Sequence, residues 1–370
     1  MKTVRQFSLC ILCLILLSGC WDSRQLRDIT IAKSAGLDLM EDGLYQSTLS
    51  SPVPSKREAP ERTEVVSGLG HTVREARMAL DNKVSERIDI ARLRVIVIGR
   101  DLAEESLYNP IDVMYRDPRG SLGAKIAIFN GMAQDIISKD LPDKPRTSEF
   151  IADLLETAEE NSIVENLNVQ LICPIMFDPG QDMVIPLMEL NEEDESSLVG
   201  NALFNGEKMT GTLSPEDSVL LNLMKNVRGR NTFLTEKVSE ENAETEEFIT
   251  LLVREADRNL KVDVNHAAKS VTAEVNLTMK VKVIEYPKDE LHDPANVAML
   301  NERLGRAFTA EAEQIFETLQ EANCDALGIG RRVIAFHNQF WRENDWNEVY
   351  PDITIKPNVT VEIISHGIIN

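Results

Sequence analysis

The chain has 370 residues, 43% of them apolar and 27% charged, the balance of a folded protein and not of a disordered one. Its 61 Asp and Glu against 39 Lys and Arg give a formal net charge of −22. A surface this acidic repels phosphate backbones and anionic headgroups, which excludes nucleic-acid binding and any membrane link through a basic patch.

In chain order the first element is an export signal. Lys2 and Arg5 form a short positive head, and Phe7 to Leu17 (FSLCILCLILL) is apolar apart from Ser8. Such a run falls short of the roughly 20 residues that span a bilayer, but it fits the apolar region of a secretory signal. Leu17-Ser18-Gly19-Cys20 then has the form of a bacterial lipobox, where an ordinary signal would end in Ala-x-Ala. Residues 1–19 therefore read as a lipoprotein signal peptide. Cys20 becomes the first mature residue, its thiol carrying a diacylglyceryl group with palmitate-type acyl chains and its freed amine open to N-acylation. A signal with a chance cysteine, or a buried N-terminal helix, explains fewer of these features. Loss of Lys2 and Arg5 takes the charge from −22 to −24. Attachment then rests on acyl chains, of which stable anchoring needs two or more. Cys10 and Cys13 form a C-x-x-C that leaves with the signal. Cys173 and Cys324 remain, as one disulfide of an exported protein or as two free thiols, and the sequence does not choose.

Residues 20–145 read as an N-terminal α/β domain. Two β-like segments, 29–40 and 44–53, flank the turn Glu41-Asp42-Gly43, and the Pro-rich, charged stretch 54–62 reads as a loop. Thr63 to Leu69 predicts a strand and Val73 to Val84 a helix. Leu93 to Ile98 (LRVIVI) predicts a buried strand closed by Gly99, short helices follow over 101–107 and 109–116, and Gly123 to Phe129 predicts another buried strand. The stretch Asp140 to Arg146 (DLPDKPR) reads as a linker.

Residues 146–232 read as a small middle domain. It opens on a helix over Thr147 to Asn161, with Phe150, Ile151, Leu154 and Leu155 on one face. Strand-like pieces at 181–190 and 198–204 enclose the acidic loop Asn191 to Glu195, and a helix starts at Ser214-Pro215, with Ser214 as N-cap. Residues 233–370 read as a C-terminal domain of antiparallel sheet plus helices. Val271 to Val283 alternates apolar and polar residues throughout, which predicts a long strand with one buried and one wet face. A long helix is predicted over about 294–322, a second helix carrying Ile334, Phe336 and Phe340, and a closing strand from Ile353 to Ile363. The fold class is thus mixed α/β, or α+β, in three domains, each a sheet flanked by helices.

Catalytic signatures are missing from the sequence. It contains no G-x-S-x-G elbow, no H-E-x-x-H, no Walker A and no metal-spaced Cys/His cluster. Gly68-Leu69-Gly70 lacks the third glycine of a dinucleotide fingerprint, Val73 standing there, and Gly328-Ile329-Gly330 fails likewise at Val333. None of His71, His266, His292, His337 and His366 lies within four residues of another. The acidic run 192–195 reads as a solvated loop, and Phe340-Trp341, Trp346 and Tyr350 read as a core plug of the last domain. No catalytic, cofactor-binding or metal-ligating residue is assigned; Cys20 alone has assigned chemistry.

A resemblance runs along the chain. Cys20-Trp21-Asp22 with Leu26 is followed by Gly36-Leu37-Asp38 and Glu41-Asp42-Gly43. Then come Gly68-Leu69-Gly70-His71-Thr72 with Glu75-Ala76, Val97-Ile98-Gly99 with Leu102-Ala103, and Arg116-Asp117. Gly200-Asn201-Ala202-Leu203-Phe204 and Lys208-Met209-Thr210-Gly211-Thr212-Leu213 follow. The last domain holds Asp325-Ala326-Leu327-Gly328-Ile329-Gly330, Trp346, Tyr350-Pro351 and a terminal strand ending at Gly367. This series resembles the Ger(x)C family, the lipoprotein C subunits of spore nutrient germinant receptors, with mild departures at Gln25, Leu327 and Tyr350.

The resemblance implies three domains of sheet and helices and no enzymatic activity. It implies a lipid anchor on the outer face of the spore inner membrane. As partners it implies the integral-membrane A and B subunits of one receptor, which triggers germination in response to nutrients. An alternative is a solute-binding lipoprotein that delivers a nutrient to a permease; it would need a cleft between two comparable lobes, which a small middle domain does not supply. An envelope enzyme would need a catalytic constellation assembled in three dimensions.

Overall fold

A computed structural model describes residues 29–53, 62–139, 146–193, 195–239, 247–288 and 290–367. The signal peptide, Cys20, most of the expected loop at 54–62 and most of the expected linker at 140–146 lie outside the described residues. The first part of the chain forms β1 (Ile29–Ile31), β2 (Ser34–Leu39), β3 (Tyr45–Val53), β4 (Arg62–Gly70), helix α1 (Val73–Asp81), β5 (Arg87–Asp89) and β6 (Val95–Gly99). Helices α2 (Arg100–Glu105) and α3 (Tyr108–Arg116), strand β7 (Lys125–Phe129) and helix α4 (Ala133–Ile137) follow. The turn between β2 and β3 places Gly43 at φ 78°, a left-handed conformation that suits glycine.

Next come helices α5 (Thr147–Glu160) and α6 (Val169–Met176), strands β8 (Val184–Leu190), β9 (Ser196–Asn205) and β10 (Lys208–Leu213), and helix α7 (Pro215–Met224). The Ser214 hydroxyl accepts the Asp217 N–H, and Pro215 occupies the first turn of α7, as its sequence indicates. These strands do not build a sheet of their own. They extend a single eight-stranded sheet of order β10-β9-β8-β7-β6-β2-β3-β4, so the boundary expected at 145/146 falls inside one sheet. The β2–β6, β6–β7 and β7–β8 pairs are parallel and the others antiparallel.

The apolar residues of 146–232 are divided in the same way. Ile151 and Leu155 of α5 pack on Val95, Val97 and Phe129 of the large sheet. Val219, Leu220, Leu221, Leu223 and Met224 of α7 join the core of the C-terminal part. A short segment whose apolar residues serve two neighbours has too little left to close a core of its own.

The C-terminal part comprises β11 (Phe233–Lys237), β12 (Phe248–Asn265), β13 (Ser270–Glu285), helix α8 (Pro294–Glu321), helices α9 (Ile329–Phe336), α10 (Asn338–Glu343) and α11 (Trp346–Val349), and β14 (Thr354–Ser365). The strands form a sheet of order β11-β12-β13-β14, antiparallel except for β13–β14. The predicted alternation holds: Val271, Ala273, Val275, Leu277, Met279, Val281 and Val283 are buried in one core with Leu300, Leu304, Phe308, Ile315, Phe316 and Leu319 of α8. The second helix predicted here is two short ones. The chain breaks at His337, whose φ of −132° lies outside helical geometry. The mixed α/β class, with sheets flanked by helices, is the architecture found.

Candidate functional site

The sequence motifs come together in pairs, and each pair is a close approach of backbone. Asp38, at the end of β2, is buried and accepts the N–H groups of Ala133 at 2.6 Å and Gln134 at 3.0 Å, capping the start of α4. Burial raises its pKa to about 6 against those two hydrogen bonds, which lower it. A Cβ on Gly99 would lie 2.2 Å from the Asp38 carboxylate, so the third residue of Val97-Ile98-Gly99 leaves room for the third of Gly36-Leu37-Asp38. Gly68 and Gly70 in β4 do the same for α1: a Cβ there would lie 2.5 Å from Ala76 O and 2.4 Å from Ala76 N. Thr72 caps α1 through the Glu75 N–H, and Glu75 in return accepts the His71 N–H at 2.7 Å. This is the structural turn the sequence indicates, with the glycines in the strand and not in a phosphate loop.

A further cluster ties the large sheet to the C-terminal part. Asp325 is fully buried; its carboxylate accepts the N–H groups of Ile329 and Gly330, each within 2.8 Å, and the Trp346 indole N–H at 3.1 Å. Asp182, just before β8, accepts the Asp325 N–H and the Gly206 N–H, both at 2.8 Å. Gly180 O accepts the Arg331 N–H at 2.9 Å, and Tyr350 donates its hydroxyl to Cys324 O at 2.9 Å. A Cβ on Gly330 would fall 2.8 Å from the Trp346 indole nitrogen and 2.9 Å from Gly180 Cα. The stretch Asp325 to Gly330 is therefore a three-way junction of α9, α11 and the loop before β8.

Burial pushes the Asp325 carboxyl up to about 7, against the two backbone hydrogen bonds, with Asp182 adding to the rise. Burial also raises Asp182 and, strongly, the Cys324 thiol. Each carboxylate is engaged by N–H donors of this chain, an arrangement suited to holding segments together.

The other residues singled out in the sequence stand apart. Cys173 and Cys324 are both free thiols. His266 stacks edge-on against Phe340 at 5.9 Å, and His337 Nε2 lies 3.3 Å from Val262 O. Phe340, Trp346 and Tyr350 are buried and Trp341 is half-buried against the same core, the core plug expected of them. No group of three or more His, Cys, Asp or Glu able to hold a metal occurs among the described residues. A surface cavity of about 680 Å³ lies between Tyr45, His71, Arg74, Asp112 and Arg116. Its charges are already paired, Arg74 with Asp117 at 3.0 Å and Arg116 with Asp112 at 2.8 Å. Sequence reasoning missed Asp182: it stands outside every motif, and its role appears only when Asp325 arrives from elsewhere in the chain.

Comparison with known proteins gives one consistent result. A family model described as the spore germination protein N-terminal domain matches residues 22–190. A second, spore germination B3/GerAC-like, C-terminal, matches residues 199–367. Spore germination protein GerQC of Bacillus cereus is 20% identical, over 96% of this chain and 96% of its own length. Spore germination protein B3 of Bacillus subtilis (strain 168) is 22% identical, over 99% of each. The crystal structure of the GerBC protein superposes with a TM-score of 0.58 over 93% of this chain and 100% of that chain, at 15% identity, a likeness of fold.

Proposed function

This chain belongs to the Ger(x)C (GerAC-like) family of spore germination proteins, and we propose that it is the non-catalytic, lipid-anchored C subunit of a nutrient germinant receptor. Cys20 carries the anchor, a diacylglyceryl group on its thiol, and holds the body at the outer face of the spore inner membrane. There it works beside the integral-membrane A and B subunits, in a complex that responds to nutrient by triggering germination. Tethering raises the local concentration of the body near those partners without requiring tight binding in solution.

The observation that carries the non-catalytic reading is the occupation of the motif carboxylates. Asp38 and Asp325 each accept two backbone N–H groups, and Gly68, Gly70, Gly99 and Gly330 sit where a Cβ would meet a neighbouring segment. Residues so engaged serve packing. The anchor is supported by the lipobox Leu17-Ser18-Gly19-Cys20 and by a surface too acidic to hold anionic lipid unaided.

Cys20→Ala in the native host tests both parts. The expected outcome is loss of the chain from the membrane fraction and weakened nutrient-triggered germination, with germination by high pressure or added dipicolinate much less affected. Normal nutrient germination by spores that contain the unlipidated protein at normal level contradicts the anchoring reading.

A further inference from the structure

Strand β12 changes parity partway along. Ile249, Leu251 and Val253 are buried, the register slips between Val253 and Glu255, and from there the even-numbered residues face inward. Ala256, Leu260, Val262 and Val264 pack on or into the C-terminal core. Arg258 occupies the same face, between Ala256 and Leu260 and opposite Leu277 of β13. A guanidinium on an apolar sheet face calls for a partner, because a charge removed from water is costly unless paired.

No carboxylate among the described residues supplies one. Among the described residues Arg258 makes no ion pair, and the charged group acting most directly on it is another cation, Arg332 of α9. Burial, with Arg332 second, lowers the Arg258 pKa. Arg332 also makes no ion pair among the described residues; its guanidinium carbon lies 6.0 Å from the centre of the Phe336 ring, an interaction with the flat face of the group. In a chain of net charge −22, two arginines that act on each other thus have no ion-pair partner among the described residues.

Both line one recess. A cavity of about 370 Å³ is lined by Lys225, Arg258, Arg331 and Arg332, by Gln181 and by the 326–328 segment, with no Asp or Glu in its wall. Two of the four cations are neutralised nearby: Lys225 pairs with Glu165, and Arg331 pairs with Asp178 at 2.8 Å. Among the described residues the recess thus keeps the charge of its two unpaired cations, Arg258 and Arg332. We propose that it is a binding site for a compact, doubly charged oxyanion, a phosphate or a dicarboxylate, held between Arg258 and Arg332. Guanidinium groups offer paired N–H donors that match the oxygens of either ligand. The site adjoins the Asp325 junction, so an occupant touches β12, α9 and the residue after α7 together.

Calorimetric titration of the full chain in neutral detergent tests this, with sodium phosphate in one arm and disodium succinate in the other, chloride holding ionic strength constant. The expected result is saturable binding in at least one arm, weakened about tenfold or more by Arg332→Gln and by Arg258→Gln. Arg332 is exposed, so its variant keeps the fold. Arg254→Gln, on the exposed face of the same strand, leaves the affinity unchanged. Response to phosphate alone identifies the phosphate class, and response to succinate alone the dicarboxylate class. The proposal is overturned if neither anion gives saturable heat beyond chloride, or if either arginine variant binds as the parent does.

Discussion

The two main sheets bury their strands in different ways. In the eight-stranded sheet Val95, Ile96, Val97 and Ile98 are successive residues and all are buried. Ile96 and Ile98 pack toward α2 and α3, while Val95 and Val97 pack toward α4 and α5. In the four-stranded sheet only alternate residues of β13 are buried, under α8, while Thr278 among the others is exposed. A strand covered on both faces uses every residue for packing, and a strand of a sheet covered on one face uses every second one. The two regions therefore respond differently to the same substitution, and the junction at Asp325 decides whether they respond together.

The largest effect is expected at that junction. Asp325→Ala leaves two backbone N–H groups and the Trp346 indole N–H without their acceptor. Each buried donor left unmade costs about 1–3 kcal/mol, so denaturant unfolding is expected to lose at least about 3 kcal/mol. A single transition at lower midpoint marks the two sheets as one cooperative unit; two separated transitions break that comparison.

Next in size is the contrast between neighbours on a strand. Val97→Ala and Ile98→Ala are both expected to destabilise, by about 2–4 kcal/mol each. Leu277→Ala on β13 is expected to cost about the same, while its neighbour Thr278→Ala stays within about 0.5 kcal/mol. Equal costs at 277 and 278 contradict the one-faced account of this sheet. Gly68→Val comes below these, at about 1–3 kcal/mol, because its side chain must displace the α1 backbone 2.5 Å away.

A smaller effect appears in pH dependence. Glu311 on α8 has its pKa raised to about 7, first by burial and then by Glu236 and Asp217. The folded chain holds this proton more tightly than the unfolded chain, whose ordinary value is 4.5. The stability it contributes is full below that value and is lost as pH rises through about 7. Glu311→Gln is expected to flatten the fall in melting temperature between pH 5 and pH 8. Asp38 and Asp325, raised in the same direction, leave part of the slope in place. An unchanged slope in the variant contradicts the assignment to Glu311.

The C-terminal sheet was the more legible region, and the reason is periodicity. Strand β13 and the face of α8 follow their periods without interruption, so both could be placed from spacing. Strand β12 is longer than β13 yet invisible to that method. The slip at Val253–Glu255 reverses its parity, and Arg258 then stands where an apolar residue is expected. Helix α6 was hidden by Pro174 inside it. The run at 93–98 marked a buried strand, but no local feature told that β8 would join its sheet through β7. The junction was half legible: Asp325, Gly328 and Gly330 form a visible motif, whereas Asp182 and Gly180 enter it only by tertiary packing. Cys20 belongs to another kind of evidence. Its assignment rests on a short local code that processing enzymes read before any fold exists.

That code is open to the most direct measurement. The proposed receptor subunit begins at Cys20 with lipid on its thiol, so intact-mass and N-terminal fragment analysis of the chain from spore membranes tests the central claim. The expected mature chain lacks residues 1–19 and carries the mass of a diacylglyceryl group on Cys20, with or without an N-acyl chain. A chain that begins elsewhere, or one that begins at Cys20 with an unmodified thiol, contradicts it.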